Sequence, residues 1–209
     1  TTNEEQHEIK IGRMYVDVMI DNNIYEIQTR NFNALRHKLD VLLDNYNVTI
    51  IYPTSRVKEI YLLNEYGELI KKSKSPKKGT PFQLLVEQYK ITSYLNHPNL
   101  HFKVLFFDMD EYRTEVPKKH YKSQGYERLK QVPSELIKVY DLNSYDDYYE
   151  IFKEYNFTND FTVMEFSKKF KMSYNKASSA IRSLSTLGII EVAKKDGKKN
   201  VWTLKNKKN

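Results

Sequence analysis

The 209 residues contain no cysteine. That excludes disulfide scaffolds and thiolate metal sites, and it fits a reducing compartment. No stretch approaches the roughly 18 apolar residues of a membrane span, and no apolar signal segment opens the chain. The expectation is a soluble, cytoplasmic protein with no membrane partner. A Gly-rich phosphate loop, a serine nucleophile elbow and a zinc-ligand spacing are all missing. His97 and His101 are four apart, but Pro98 between them argues against a helical metal pair. No internal repeat is visible.

What is present suits one large domain or two small ones. Hydrophobic residues make up 40% of the chain, and 17 Tyr and 10 Phe supply much of the core. The net charge of +7 is unevenly spread. Residues 160–209 hold 12 Lys/Arg against 4 Asp/Glu, whereas residues 1–159 hold 22 against 23. The excess sits in the last quarter and points to a polyanion; a merely solvated Lys-rich tail accounts for the charge equally well.

Alternation and β-branched content predict strands over Met14–Ile20 and Ile24–Gln28. A helix is expected over Asn33–Leu43, with Phe32, Leu35, Leu39, Leu42 and Leu43 on one stripe. Val48–Tyr52 reads as a short buried strand stopped by Pro53. Glu59–Asn64 and Glu68–Lys72 flank a second hairpin, Phe82–Ile91 is helical, and Phe102–Phe107 is another buried strand. This order predicts an α/β fold, a mixed sheet flanked by helices, over residues 1–112. Residues 113–143 read as connecting structure.

Residues 144–209 carry the clearest local signals. Ser144 with Asp147 marks a helix start, followed by Tyr148, Ile151, Phe152 and Tyr155 at helical spacing. Thr162 and Glu165 form a capping-box pair, and Ser173 is a second N-cap. The next helix buries Ala177, Ile181 and Leu184 and stops at Leu187-Gly188. A strand, a Lys/Gly/Asp turn and a return strand complete a small winged helix-turn-helix domain. Its second helix would present Tyr174, Asn175, Ser178, Ser179 and Arg182 to base edges, and Lys194, Lys195, Lys198 and Lys199 would meet phosphate. Winged helices also dock proteins; the charge concentration favours DNA.

The hairpin "VDVMIDNNIYEIQT" raises the sharpest question, because Asp17, Glu26 and Gln28 interrupt an apolar pattern. With Asn22-Asn23 as a two-residue turn, Asp17 faces Gln28 and lies diagonal to Glu26. Val16, Val18, Ile20, Tyr25 and Ile27 then form the opposite, apolar face. Two carboxylates this close repel each other unless a cation or a proton intervenes, and hard oxygen ligands suit Mg²⁺, with Mn²⁺ as substitute. A metal there polarises phosphate and generates hydroxide.

Asp17, eight residues, then Glu26-Ile27-Gln28 on a hairpin followed by a helix and a buried strand resemble the PD-(D/E)xK (restriction endonuclease-like) superfamily. That resemblance implies that Asp17 and Glu26 hold the metal. The third motif residue is usually Lys; Gln28 matches a variant found in some restriction endonucleases, and its implied role is to orient the attacking water. More narrowly, "YEIQTRNFNALRHKL" and "KSPKKG" resemble an uncharacterised bacterial family in which such a domain precedes a winged helix. Glu8 is the nearest further acidic candidate for the metal. Arg30, Asn31 and Lys38 sit just past the motif, placed to meet phosphate or simply to solvate a helix face. Lys71, Lys72, Lys74, Lys77 and Lys78 either grip a backbone or solvate a long loop.

The expectation is a metal-dependent endonuclease-like protein on double-stranded DNA, with homodimerisation left open. The rival is a non-catalytic transcriptional regulator whose nuclease-like domain serves dimerisation or sensing.

Overall fold

The computed structural model describes residues 6–116 and 125–205. Of the segment expected to be connecting structure, residues 117–124 lie outside the described residues.

The chain opens with a hairpin not expected from the sequence: β1 (His7–Ile11) pairs antiparallel with β2 (Met14–Ile20) around Gly12, whose φ is +60°. The strand β3 (Asn23–Ile27) returns antiparallel to β2 and then pairs parallel with β4 (Asn47–Leu63). A parallel neighbour requires a crossover. It begins at Asn31, in the left-handed region with φ 60°, runs through a single 3₁₀ turn at Phe32–Leu35 and continues as α1 (Arg36–Leu42). Phe32, Leu35, Leu39, Leu42 and Leu43 are all buried, as their spacing requires. Each contributes roughly 1.5–3 kcal/mol by leaving water.

The remaining elements are β5 (Leu69–Lys74), α2 (Gln83–Gln88), β6 (Leu100–Glu115), β7 (Tyr126–Asp141), α3 (Tyr145–Glu154), α4 (Val163–Lys169), α5 (Tyr174–Thr186), β8 (Ile190–Asp196) and β9 (Lys199–Leu204). The main sheet runs β1-β2-β3-β4-β6-β7, with β5 paired to β4; β8 and β9 form a separate hairpin. The fold is therefore mixed α/β. Among the described residues no helix is long and apolar enough to cross a membrane.

Two expectations are corrected. Pro53 does not stop a strand, because β4 runs through it; proline removes one amide donor, but its φ suits an extended chain. Residues 126–141 are not connecting structure but one long strand, exposed along nearly all its length. With both faces wet, it lacks the alternation that marks a half-buried strand.

Two compact units emerge. The first comprises Thr1–Tyr52, Phe82–Val104 and Tyr140–Asn209; the second comprises Pro53–Pro81 and Leu105–Val139. In the first unit, Phe82 packs against Phe152, Tyr155, Phe166 and Phe170 at centroid distances of 4.1–5.7 Å. On the next turns, α2 lies along α5, where the Ser183 hydroxyl donates to the Leu85 carbonyl at 2.8 Å. Both expected capping boxes are formed, Ser144 with Asp147 and Thr162 with Glu165. Ser173 stands at the N-cap of α5 without a side-chain hydrogen bond.

In the second unit, the Gly79 amide donates to the Ser55 carbonyl at 3.0 Å, and a Cβ at Gly79 would run into that oxygen. Only glycine permits so close an approach. Gly79→Ala should lower stability by about 1–3 kcal/mol, read as an earlier urea midpoint with an unchanged slope.

Candidate functional site

The hairpin register differs from the expected one in an informative way. Val18 pairs with Tyr25, Met19 with Ile24 and Ile20 with Asn23, so the turn is Asp21-Asn22 rather than Asn22-Asn23. Asp21 takes the left-handed conformation, φ 53°. Asn23 is held in the strand by the parallel ladder, where it pairs with Asn47 and accepts from the Asn47 amide at 3.3 Å. Asn22 is anchored separately, its amide donating to the Asn45 carbonyl at 3.0 Å.

Continuing this register sets Asp17 against Glu26 rather than against Gln28. The shift is by two residues, so Asp17, Glu26 and Gln28 still share one side of the hairpin. The face expected behind them is not uniformly apolar. Val16 is buried, but Ile27 is 53% exposed. Ile24, on the carboxylate side, is fully buried, so that side packs inward rather than facing water.

Glu26 is only 4% exposed, and both its oxygens accept from the Lys38 ammonium at 2.8 Å. Lys38 is thus placed on the acidic residue rather than on an outward helix face. Burial pushes the Glu26 carboxyl above its ordinary range; Lys38 pulls it down, and the Asp17 charge pushes it up again. The Asp17 carboxylate accepts from the Ile27 backbone N–H at 2.7 Å, which fixes it beside β3. The Gln28 backbone continues the parallel ladder to the Ile51 carbonyl, while its side-chain amide donates to the Arg30 carbonyl at 2.6 Å.

Asp17, Glu26 and Lys38 therefore form one cluster with a single uncompensated negative charge. Glu8 lies on β1, exposed and with φ 51°, and Arg30 and Asn31 are exposed, with Asn31 at φ 60°. Among the described residues no group of three or more His, Cys, Asp or Glu is arranged to hold a metal ion. The donors available to a divalent cation are the two carboxylates of Asp17 and Glu26, and at Glu26 it would share or displace the Lys38 ammonium. The sequence signal for Lys38 is its position: it lies three residues after Leu35 and four before Leu42, in line with the buried stripe of α1.

A second surface lies on the C-terminal elements. A groove of about 630 Å³ runs between α5, the start of α4 and the β8–β9 hairpin. It brings together Tyr174, Ser178, Arg182, Lys198 and Lys199, with Met164 and Trp202 also lining it. The Arg182 guanidinium donates to the Tyr89 hydroxyl at 3.1 Å. Asn175, Ser179, Lys194 and Lys195 do not line this groove; Asn175, Lys194 and Lys195 are exposed, and the Ser179 hydroxyl donates to the Asn175 carbonyl at 3.1 Å.

By fold and site, this is a mixed α/β protein with a buried Glu–Lys pair beside an aspartate. The chain belongs to the family described as "Domain of unknown function (DUF8091)", whose model matches residues 1–143. It is 33% identical over 102 residues to an uncharacterized protein of Treponema pallidum (strain Nichols), a match covering 48% of this chain and 41% of that protein. The chain therefore spans less than half the length of that relative. No solved structure matches significantly.

Proposed function

We propose that the protein is a metal-dependent endonuclease-like enzyme of the PD-(D/E)xK kind, placed on double-stranded DNA by a C-terminal winged helix. The observation that carries this reading is the convergence of Asp17, Glu26 and Lys38 on a hairpin that runs through a helix into a parallel strand. Asp17 and Glu26 would hold Mg²⁺, or Mn²⁺ in its place, which when bound supplies Lewis-acid polarisation of the scissile phosphate. Lys38 supplies the positive charge that Gln28 cannot, within reach of the same carboxylate. Gln28, bonded to the Arg30 carbonyl, stabilises the loop after the site. Helix order, both capping boxes and the β8–β9 hairpin support the winged-helix reading, with α5 entering the major groove and Lys198 and Lys199 on phosphate.

The test is nicking of supercoiled plasmid in the presence of Mg²⁺ or Mn²⁺. Unaltered protein should nick and EDTA should stop it. Glu26→Gln and Asp17→Asn should each lose at least about 10²-fold in rate while DNA affinity changes little. Equal nicking by the variants and the unaltered protein would sink the assignment. A second reading has its own observation: Lys38 already neutralises Glu26, as in a structural pair. DNA binding without cleavage under either metal would establish that reading, a DNA-binding regulator whose nuclease-like portion serves dimerisation or sensing.

A further inference from the structure

In the second unit, Lys72, Tyr61, Tyr112 and Lys130 make a row across four neighbouring strands, β5-β4-β6-β7. The two tyrosine rings stack at 5.0 Å with 17° between their planes. The Lys72 ammonium stands 4.9 Å from the Tyr61 centroid, and the Lys130 ammonium 4.9 Å from that of Tyr112. The ends of the row are three strand spacings apart, roughly 14 Å. With a partner ring and an ammonium against each tyrosine, a base enters only by displacing a cation. What the row offers instead is the Lys130 ammonium, the Tyr112 phenol and a Lys72 ammonium that rests on Glu59, donors used on sugar–phosphate, while the Tyr61 hydroxyl donates to that same Glu59 carboxylate at 3.2 Å.

The charge around the row is unbalanced in a fixed way. Glu59, Asp108 and Glu111 between them take Arg56, Lys58, Lys72, Lys74, Arg113 and Arg128, six cations on three carboxylates. The described residues of the unit hold 11 Lys/Arg against 9 Asp/Glu, an excess hidden when residues 1–159 are counted together. Side chains that share a carboxylate are held in place yet not neutralised, which is how a surface is prepared for a polyanion. Glu111 is held by the hydrogen bonds it accepts. Burial alone would raise its carboxyl, but Lys58, Gln131 and Arg113 hold it down to about 2.

We propose that this unit carries a phosphodiester-binding face of its own, centred on the Lys72–Tyr61–Tyr112–Lys130 row, which grips the backbone of a nucleic acid without reading its bases. It rests on the reading of the protein as nucleic-acid-binding and adds a surface separate from the α5 groove.

The test uses the full chain carrying Lys72→Gln, Lys74→Gln and Lys130→Gln together, with fluorescence anisotropy against labelled random-sequence duplex DNA, single-stranded DNA and RNA over a salt series. Affinity should fall roughly tenfold or more, and the slope of log affinity against log salt should shrink by about 2–3, nearly one for each phosphate no longer neutralised. Whichever probe loses most identifies the backbone preferred. Lys198→Gln with Lys199→Gln serves as the comparison, since it touches only the α5 groove. An unchanged slope in the triple variant, while the comparison pair lowers it, overturns the proposal and leaves the functional reading standing. Absence of binding by the unaltered chain overturns both. Unchanged nucleic-acid binding with lost affinity for phosphatidylserine vesicles or polyglutamate assigns the face elsewhere and also overturns it. Should the triple variant melt early, Lys130→Gln alone repeats the test, with an expected slope change of about one.

Discussion

Lys38→Met should destabilise the protein by about 3–5 kcal/mol at neutral pH, and the loss should shrink as the solution is acidified. Methionine keeps most of the aliphatic stem, so packing changes little; what disappears is the ammonium shared by the two Glu26 oxygens. A carboxylate 4% exposed is then left with the Asp17 backbone hydrogen bond and, against it, the Asp17 negative charge. The direction with pH follows from the raised Glu26 carboxyl. In the native state it holds its proton to higher pH than in the unfolded chain, so stability falls as pH rises from the ordinary carboxylate range through the raised value. Without Lys38 that value moves further up, and the penalty at neutral pH grows. Protonation at lower pH removes the charge and restores the fold. Urea unfolding at mildly acidic and mildly alkaline pH reads this directly. The double variant Lys38→Met/Glu26→Gln should recover much of the loss, because a buried pair removed whole leaves no orphan charge. A Lys38→Met loss that does not vary with pH would show that the ion pair is not what supports this site.

Glu111 makes the contrast. Its carboxyl is lowered to about 2, so it contributes stability above the ordinary carboxylate range, lost as pH falls toward that value. Glu26 costs stability at neutral pH and Glu111 supplies it.

Phe82→Ala should be the most damaging single substitution in the aromatic core, at about 3–5 kcal/mol. Its ring meets Phe152, Tyr155, Phe166 and Phe170, so truncation opens a cavity shared by α3, the chain just after it and α4. Phe82 lies more than sixty residues before these helices, yet it belongs to their core. The expected readout is an earlier denaturation midpoint, with α3, α4 and α5 losing hydrogen-exchange protection together. For the same reason a fragment of residues 144–209 should melt well below the full chain. Equal melting of fragment and full chain, or an unshifted midpoint for Phe82→Ala, would mean that these helices are self-sufficient.

What the sequence made legible was local. Ser144 with Asp147 and Thr162 with Glu165 settle their helix starts within four residues, and each was readable. The stripe Phe32, Leu35, Leu39, Leu42 and Leu43 was equally plain. What failed depended on distant partners. Asp21, Asn22 and Asn23 all tolerate a tight turn, and the choice is made by the ladder from Asn23 to Asn47. Lys38 reads as an exposed cation until the parallel crossover folds α1 back over β3. The strand β7 was hidden because hydrophobic alternation records burial, and most of β7 has none.

That strand has one more consequence. It is the last in the sheet order, sixteen residues long, with Leu129, Val132 and Leu136 open to solvent. An outer strand of this kind is a template for amyloid-like growth. Pro133 near its midpoint has no amide hydrogen to offer a stacking neighbour, and Glu127, Arg128, Lys130, Glu135 and Lys138 put charge along the same stretch. The residues that made β7 look unlike a strand are gatekeepers, and they make it a poor seed for its own copies.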